Sequence, residues 1–384
     1  MKKRIPTPGP TMAVLTLVPL LACARTPVDG AAAGVAAATP SAEPVSRGLD
    51  WLVRHQAPAG YWSASAFSER CGESRCDGAG KEVHDPGATG LSLLALQVAG
   101  DARHADAVAR GLAYLASVQD AETGCFGVPN SHATFLYDHG IATLAVAEAV
   151  ARGDDAMRGP AQRGIDFIEA CRNPYKAWRY AYPPDGNNDM SVTGWMVLAL
   201  KTGQSAGLEV DPAAFQGAMR LTDEMTDDET WRTGYQRRGG FSSRDVGMEE
   251  RWPEASTEAM TAVGMMARLL TGEDPDESAA LKGGAARLRD RLPEWDEANG
   301  TIDYSYWYYG TLAMSWIGGD GWDRWSGALA EAVERTQRED GCARGSWDPQ
   351  FDPWGHAGGR VYATALLTLA LAVRDEPGRW KIAG

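Results

Sequence analysis

Strand-like alternation of apolar and polar residues is almost absent from this 384-residue chain, which argues against a sheet-based frame. No apolar run reaches the roughly 20 residues that a bilayer-crossing helix needs. No basic stripe with interleaved aromatics occurs. Acidic residues outnumber basic ones by 51 to 37, for a net charge of −14, so nucleic acid is not an expected partner. Cysteine is sparse, at six residues. What the chain does have is 44% hydrophobic content, ample for a large core, and 14 tryptophans, which is rich for its length.

The N-terminus reads as an address. Lys2, Lys3 and Arg4 precede a short apolar run from Met12 to Ala22, and the run ends Leu20-Leu21-Ala22-Cys23. This resembles the lipobox of bacterial lipoproteins, which implies removal of residues 1–22 and lipidation of Cys23. Ala24 follows where an Asp would signal retention, so an outer-membrane anchor is expected if the cell is Gram-negative. The resemblance implies an exported protein that touches a membrane only through its lipid. Residues 23–44, rich in Ala, Pro and Thr, read as a flexible tether.

The remainder, 45–380, is organised by a repeated phrase. Arg47-Gly48-Leu49-Asp50-Trp51-Leu52 leads to Gln56 and then Gly60-Tyr61-Trp62. Arg110-Gly111-Leu112-Ala113-Tyr114-Leu115 leads to Gln119 and then Gly124-Cys125-Phe126. The opening recurs as Arg163-Gly164-Ile165-Asp166-Phe167-Ile168, more weakly at Gly217 and Gly284, and in a degenerate sixth copy from Leu329 through Gln337, Gly341 and Trp347. Each phrase predicts an amphipathic helix followed by a Gly turn. A second segment follows each one, apolar nearly all round, as in Thr89-Gly90-Leu91-Ser92-Leu93 and Thr193-Gly194-Trp195-Met196-Val197. Such helices belong inside, with the charged-faced ones around them. The expectation is an all-α protein of about six helical-hairpin repeats, an inner ring within an outer ring.

The phrase resembles the QW motif of squalene–hopene-type cyclases, within the terpenoid cyclase and protein prenyltransferase superfamily of α/α toroids. The resemblance spans roughly 45–379. It implies that Gln56 and Gln119 cap helices and that Trp51 and Trp62 pack between repeats. The family's chemical signatures do not survive. Where class II cyclases carry Asp-x-Asp-Asp-Thr, this chain reads Asp189-Met190-Ser191-Val192-Thr193, with Ser191 at the proton donor's place. A serine hydroxyl is far too weak an acid to protonate an alkene. Asp340-Gly341-Cys342 has the spelling of a prenyltransferase zinc site but falls in a turn. With only His139 and His356 as further candidates no tetrahedral set assembles, so no metal and no cofactor is expected. Cys71-Gly72-Glu73-Ser74 approaches the thioester motif of complement-type toroids but lacks its Gln; a Cys71–Cys76 disulfide is the plainer reading, and Cys125–Cys171 is a second possible pair.

In a toroid the starts of all inner helices face one mouth. Asp85, His139 and Asp189 are therefore the candidate catalytic residues, although a carboxylate at a helix start is also explained by capping. Arg360, with Tyr306, Trp307, Tyr309 and Trp195, is a candidate ligand-binding lining. The loop Gly239–Trp252 reads as an elaborated surface loop. The expected function is binding of an apolar small molecule or a protein partner in the central cavity. The alternative is an isoprenoid- or glycan-processing enzyme using Asp189 and His139.

Overall fold

The computed structural model describes residues 42–377; Cys23 and the expected signal segment lie outside them. Twelve α-helices occur among the described residues, numbered here in chain order, with no β-strand beyond isolated bridges. The phrase helices are α1 (Ala42–Arg54), α3 (Ala105–Val118), α5 (Arg158–Ala170), α7 (Pro212–Met225), α9 (Ala279–Arg289) and α11 (Gly319–Glu334). Between them run α2 (Asp85–Ala99), α4 (Phe135–Ala151), α6 (Met190–Ser205), α8 (Ala259–Leu270), α10 (Tyr304–Ile317) and α12 (Gly355–Asp375). Helix α1 begins inside the stretch expected to be tether.

The second set forms a closed ring. α2 packs on α4, and so on through α6, α8, α10 and α12, which returns to α2. Each phrase helix lies against two ring helices: α3 against α2 and α4, α5 against α4 and α6, and α1 against α12 and α2. Burial follows the sequence. Every position of α8 is buried, whereas α3 buries only Ala107, Gly111, Leu112 and Leu115, a single stripe. Because inner and outer helices alternate along the chain, all inner helices run the same way and their N-termini gather at one mouth. No described helix is long and apolar enough to cross a membrane.

The repeated phrase supplies the joints. Gln56 Nε2 donates to the carbonyls of Gly60 and Ala107, Gln119 Nε2 to those of Gly124 and Pro160, and Gln337 Nε2 to those of Gly345 and Pro44. Each glutamine thus ties its own turn to the next outer helix. Its Oε1 accepts from the arginine that begins the phrase within that helix: Arg110, Arg163 and Arg47 respectively. The indoles of Trp62, Trp178 and Trp347 donate to the carbonyls of Leu52, Ile168 and Val333, closing outer-helix C-termini. Gly60, Gly124 and Gly345 all have φ between +82° and +96°, and a Cβ on any of them would strike the backbone carbonyl of that same following arginine. Glycine is required there twice over, by torsion and by contact.

Candidate functional site

Helix α4 enters the mouth with three consecutive polar residues, which the 100° step of a helix points in three directions. Tyr137 turns toward α6, where its hydroxyl hydrogen-bonds Ser191 Oγ. Asp138 turns toward α2, where its Oδ2 lies 3.0 Å from His84 Nδ1 and 3.1 Å from His132 Nε2. His139 turns outward into the gap beneath α5. There its Nδ1 accepts from the Phe126 N–H at 3.1 Å and its Nε2 faces the Gly164 carbonyl at 3.0 Å. His139 is fully buried, and burial holds it neutral, with its pKa lowered to about 4. Both ring nitrogens are taken up by backbone, so His139 joins two repeats and does not line the mouth.

Asp189 is the N-cap of α6. Its Oδ1 accepts from the Val192 N–H at 3.0 Å and the Ser191 hydroxyl at 2.8 Å. Its Oδ2 accepts from the Tyr235 hydroxyl at 3.4 Å and lies 3.6 Å from Arg179 Nε. Tyr235 in turn shares a hydrogen bond with Tyr180. The carboxyl is fully buried, and desolvation pushes its pKa up to about 6 against the pull of its hydrogen bonds and Arg179. Tyr137, Tyr180, Tyr235, Ser191 and Arg179 around it all remain partly exposed. Capping and a chemically perturbed carboxyl thus coexist in one residue.

Asp85, at the first position of α2, accepts from the Ala64 N–H at 2.8 Å and the Ser63 hydroxyl at 3.3 Å. Burial raises it as well, to about 6. Two hydrogen-bonded groups, His84 with Asp138 and Tyr137 with Ser191, Asp189 and Tyr235, therefore lie across the starts of α2, α4 and α6.

The opposite side of the mouth was not anticipated. Arg244 Nη2 lies 3.1 Å from Asp303 Oδ2, both side chains being 1% exposed, and Thr257 hydrogen-bonds the same oxygen. Asp352 accepts from the Tyr304 N–H at 2.7 Å; its pKa is pushed up to about 7 by burial and by Asp303. The loop Gly239–Trp252 is thus pinned inward by Arg244, and by the Trp252 indole donating to the Phe351 carbonyl at 2.9 Å. It is more than surface elaboration.

The expected ligand lining is packed instead. Trp195 stacks on Tyr308 at 5.8 Å between ring centroids and meets Tyr309 edge-on at 5.3 Å. Trp307 is fully buried, and the Tyr306 hydroxyl donates to the Arg291 carbonyl at 2.6 Å. Arg360, fully buried, is held by Asp77 and by Asp348 at 2.6 Å. These aromatics serve as core, and the arginine is spent on the junction between the first and last repeats.

The expected Cys71–Cys76 disulfide does not form: both are free thiols, as are Cys125 and Cys171. Cys71, Cys76 and Cys342 instead surround His55. Of the candidate ligands named from sequence, Cys342 belongs to this group and the others lie elsewhere: Asp340 pairs with Arg338, His356 with Asp245, and His139 with the backbone beneath α5. His84, His132 and Asp138 form a second group whose donor atoms converge; their 3.0–3.1 Å spacings suit a carboxylate bridging two imidazoles as well as a cation site. His55, His84 and His132 stand outside the aligned inner-helix positions, so register alone did not reveal them.

No family model matches the chain, and no curated protein matches it. Solved structures do. The type II terpene cyclase MstE from Scytonema superposes over 86% of this chain and 97% of its own, with a TM-score of 0.56 at 14% identity. An inactive variant of the α-1,6-mannanase GH76A of Salegentibacter sp. HEL1_6, in complex with α-1,6-mannotetrose, covers 88% and 99%, with 0.59 at 8% identity. An α-amylase from Clostridium perfringens covers 86% and 97%, with 0.53 at 11% identity. The chain has the α/α-toroid fold that these solved structures share. At these identities the likeness is one of fold.

Proposed function

We propose that this toroid is an enzyme acting by acid–base catalysis on a polar, hydroxyl-rich substrate, a glycan, bound at the inner-helix mouth. The observation that carries this reading is the setting of Asp189. It is a buried carboxyl with its pKa raised to about 6, contacted by the partly exposed Tyr235 and Arg179. A carboxyl that titrates near neutrality is suited to donate a proton to a leaving oxygen. Asp138, hydrogen-bonded by His84 and 3.1 Å from His132 Nε2, offers a second carboxylate on the same rim. Partly exposed tyrosine rings and a guanidinium suit sugar faces and hydroxyls. The packing of Trp195 against Tyr308 and Tyr309 favours this polar reading over an apolar guest in the centre.

The test is release of reducing ends from a panel of α- and β-linked oligosaccharides. Asp189→Asn should lower turnover by about 10²- to 10⁴-fold, the usual worth of a general acid, with the fold retained. Equal turnover by wild type and variant, or an isoprenoid carried through purification on native mass spectrometry, would sink the proposal. Export and attachment through Cys23 belong to the same proposal. Fatty-acid labelling that survives Cys23→Ser would refute that part.

A further inference from the structure

His55, Cys71, Cys76 and Cys342 bring one ligand atom each into a volume where all four lie within 4.8 Å of one another. His55 follows α1 directly, Cys71 and Cys76 bracket the short loop before α2, and Cys342 sits in the turn between α11 and α12. His55 Nε2 is 3.4 Å from the Cys342 sulfur, 3.5 Å from that of Cys71 and 3.7 Å from that of Cys76. Tetrahedral zinc, with Zn–S of about 2.3 Å and Zn–N of about 2.0–2.1 Å, has sulfur–nitrogen edges of about 3.5 Å. Three sulfurs at that spacing from one nitrogen describe the corners of such a site.

The surroundings agree. His55 Nδ1 lies 2.8 Å from the Trp51 carbonyl, which places the proton on Nδ1 and leaves the Nε2 lone pair aimed at the sulfurs. The ring is also held in stack on Trp51 at 4.1 Å. The Cys76 N–H donates to the Cys71 sulfur at 3.3 Å, and Arg54, Arg70 and Arg360 lie close enough to act on His55. The backbone donor offsets part of the negative charge that three thiolates carry.

We propose that His55, Cys71, Cys76 and Cys342 bind one structural zinc ion that fastens the first repeat of the toroid to the last. Binding replaces three S–H protons, which leave to solvent, with three Zn–S bonds and one Zn–N bond, and involves no redox change. All four coordination positions are filled by protein, so the site has a structural rather than a catalytic form. The ion would clamp Cys342 to residues 266 to 287 positions away, where a ring built from a linear chain must close. The proposal stands independently of any activity at the mouth.

The test is metal analysis of the full chain purified without chelator or metal-affinity resin, followed by cobalt(II) exchange. About one zinc per chain is expected, together with the intense thiolate-to-cobalt charge-transfer absorption of a tetrahedral site. Cys342→Ser and His55→Gln should each lower zinc content at least tenfold, whereas Cys125→Ser, a buried cysteine outside the group, should retain it. Chelation should lower the thermal midpoint of the wild type and leave that of Cys342→Ser unmoved. Should those variants not fold, the wild type decides alone. A chain that takes up neither zinc nor cobalt after reduction would overturn the proposal. So would a mass two hydrogens light that maps to a disulfide among Cys71, Cys76 and Cys342.

Discussion

Arg47 Nε donates to Gln337 Oε1 at 2.9 Å across 290 residues of sequence, and this bond joins the first outer helix to the last. Arg110 with Gln56 and Arg163 with Gln119 make the same joint between neighbouring repeats. The ring therefore closes with the contact that it uses to propagate.

Breaking that closure should be costly. Gln337→Ala leaves the Pro44 and Gly345 carbonyls without their donor, and about 1–3 kcal/mol of stability should be lost. In a double-mutant cycle with Arg47→Ala, chemical denaturation should show a coupling above about 0.5 kcal/mol. Strict additivity would mean that the joint is incidental.

The turn glycines separate torsion from contact. Gly186, at φ +89° with open space around it, should lose roughly 1–2 kcal/mol on substitution by Ala, from backbone conformation alone. Gly124→Ala, at φ +82° and facing the Arg163 carbonyl, should lose clearly more. Equal midpoints for the two variants would show that the turn yields without cost.

The raised carboxyl at Asp189 sets a pH dependence. Its folded pKa, about 6, lies above the unfolded value near 3.8, so the folded state binds the extra proton. Its contribution is full below about pH 4 and declines as pH rises through about 6. Asp189→Asn, which cannot ionise, removes this term. The stability of the wild type relative to the variant should therefore fall across pH 4–6, as read from urea midpoints. A flat difference would place the carboxyl at its ordinary pKa.

Arg244 and Asp303 form a pair with both side chains 1% exposed. Arg244→Met strands a buried carboxylate and should cost about 3–5 kcal/mol. Adding Asp303→Asn should recover part of that loss. A double variant less stable than Arg244→Met would show that Asp303 contributes chiefly through the N–H of Tyr306 and the other bonds it accepts.

Much of the architecture was written locally. The Arg-Gly opening marks the first three outer helices, the Gln and turn Gly mark the first, second and sixth, and apolar runs mark the inner ones, because helix amphipathicity and left-handed turns are properties of short segments. Six such units then have few ways to bury their faces other than a closed ring. Register likewise placed Asp85 and Asp189 at helix starts. What it could not supply was direction. His139 and Asp138 are neighbours on α4, yet one is consumed by backbone between repeats and the other meets two histidines at the mouth. Trp195 and Tyr309 look like a lining in sequence and become core once they pack together with Tyr308. Arg244 was hidden in a loop until that loop folded inward onto Asp303. The spacing of Cys71 and Cys76 suggested a disulfide; only ring closure brings His55 and Cys342 to the same point. Local pattern determines which segments are helices and which faces they bury. Contacts between residues nearly 300 positions apart are decided by how the ring closes, and that exists only in the tertiary structure.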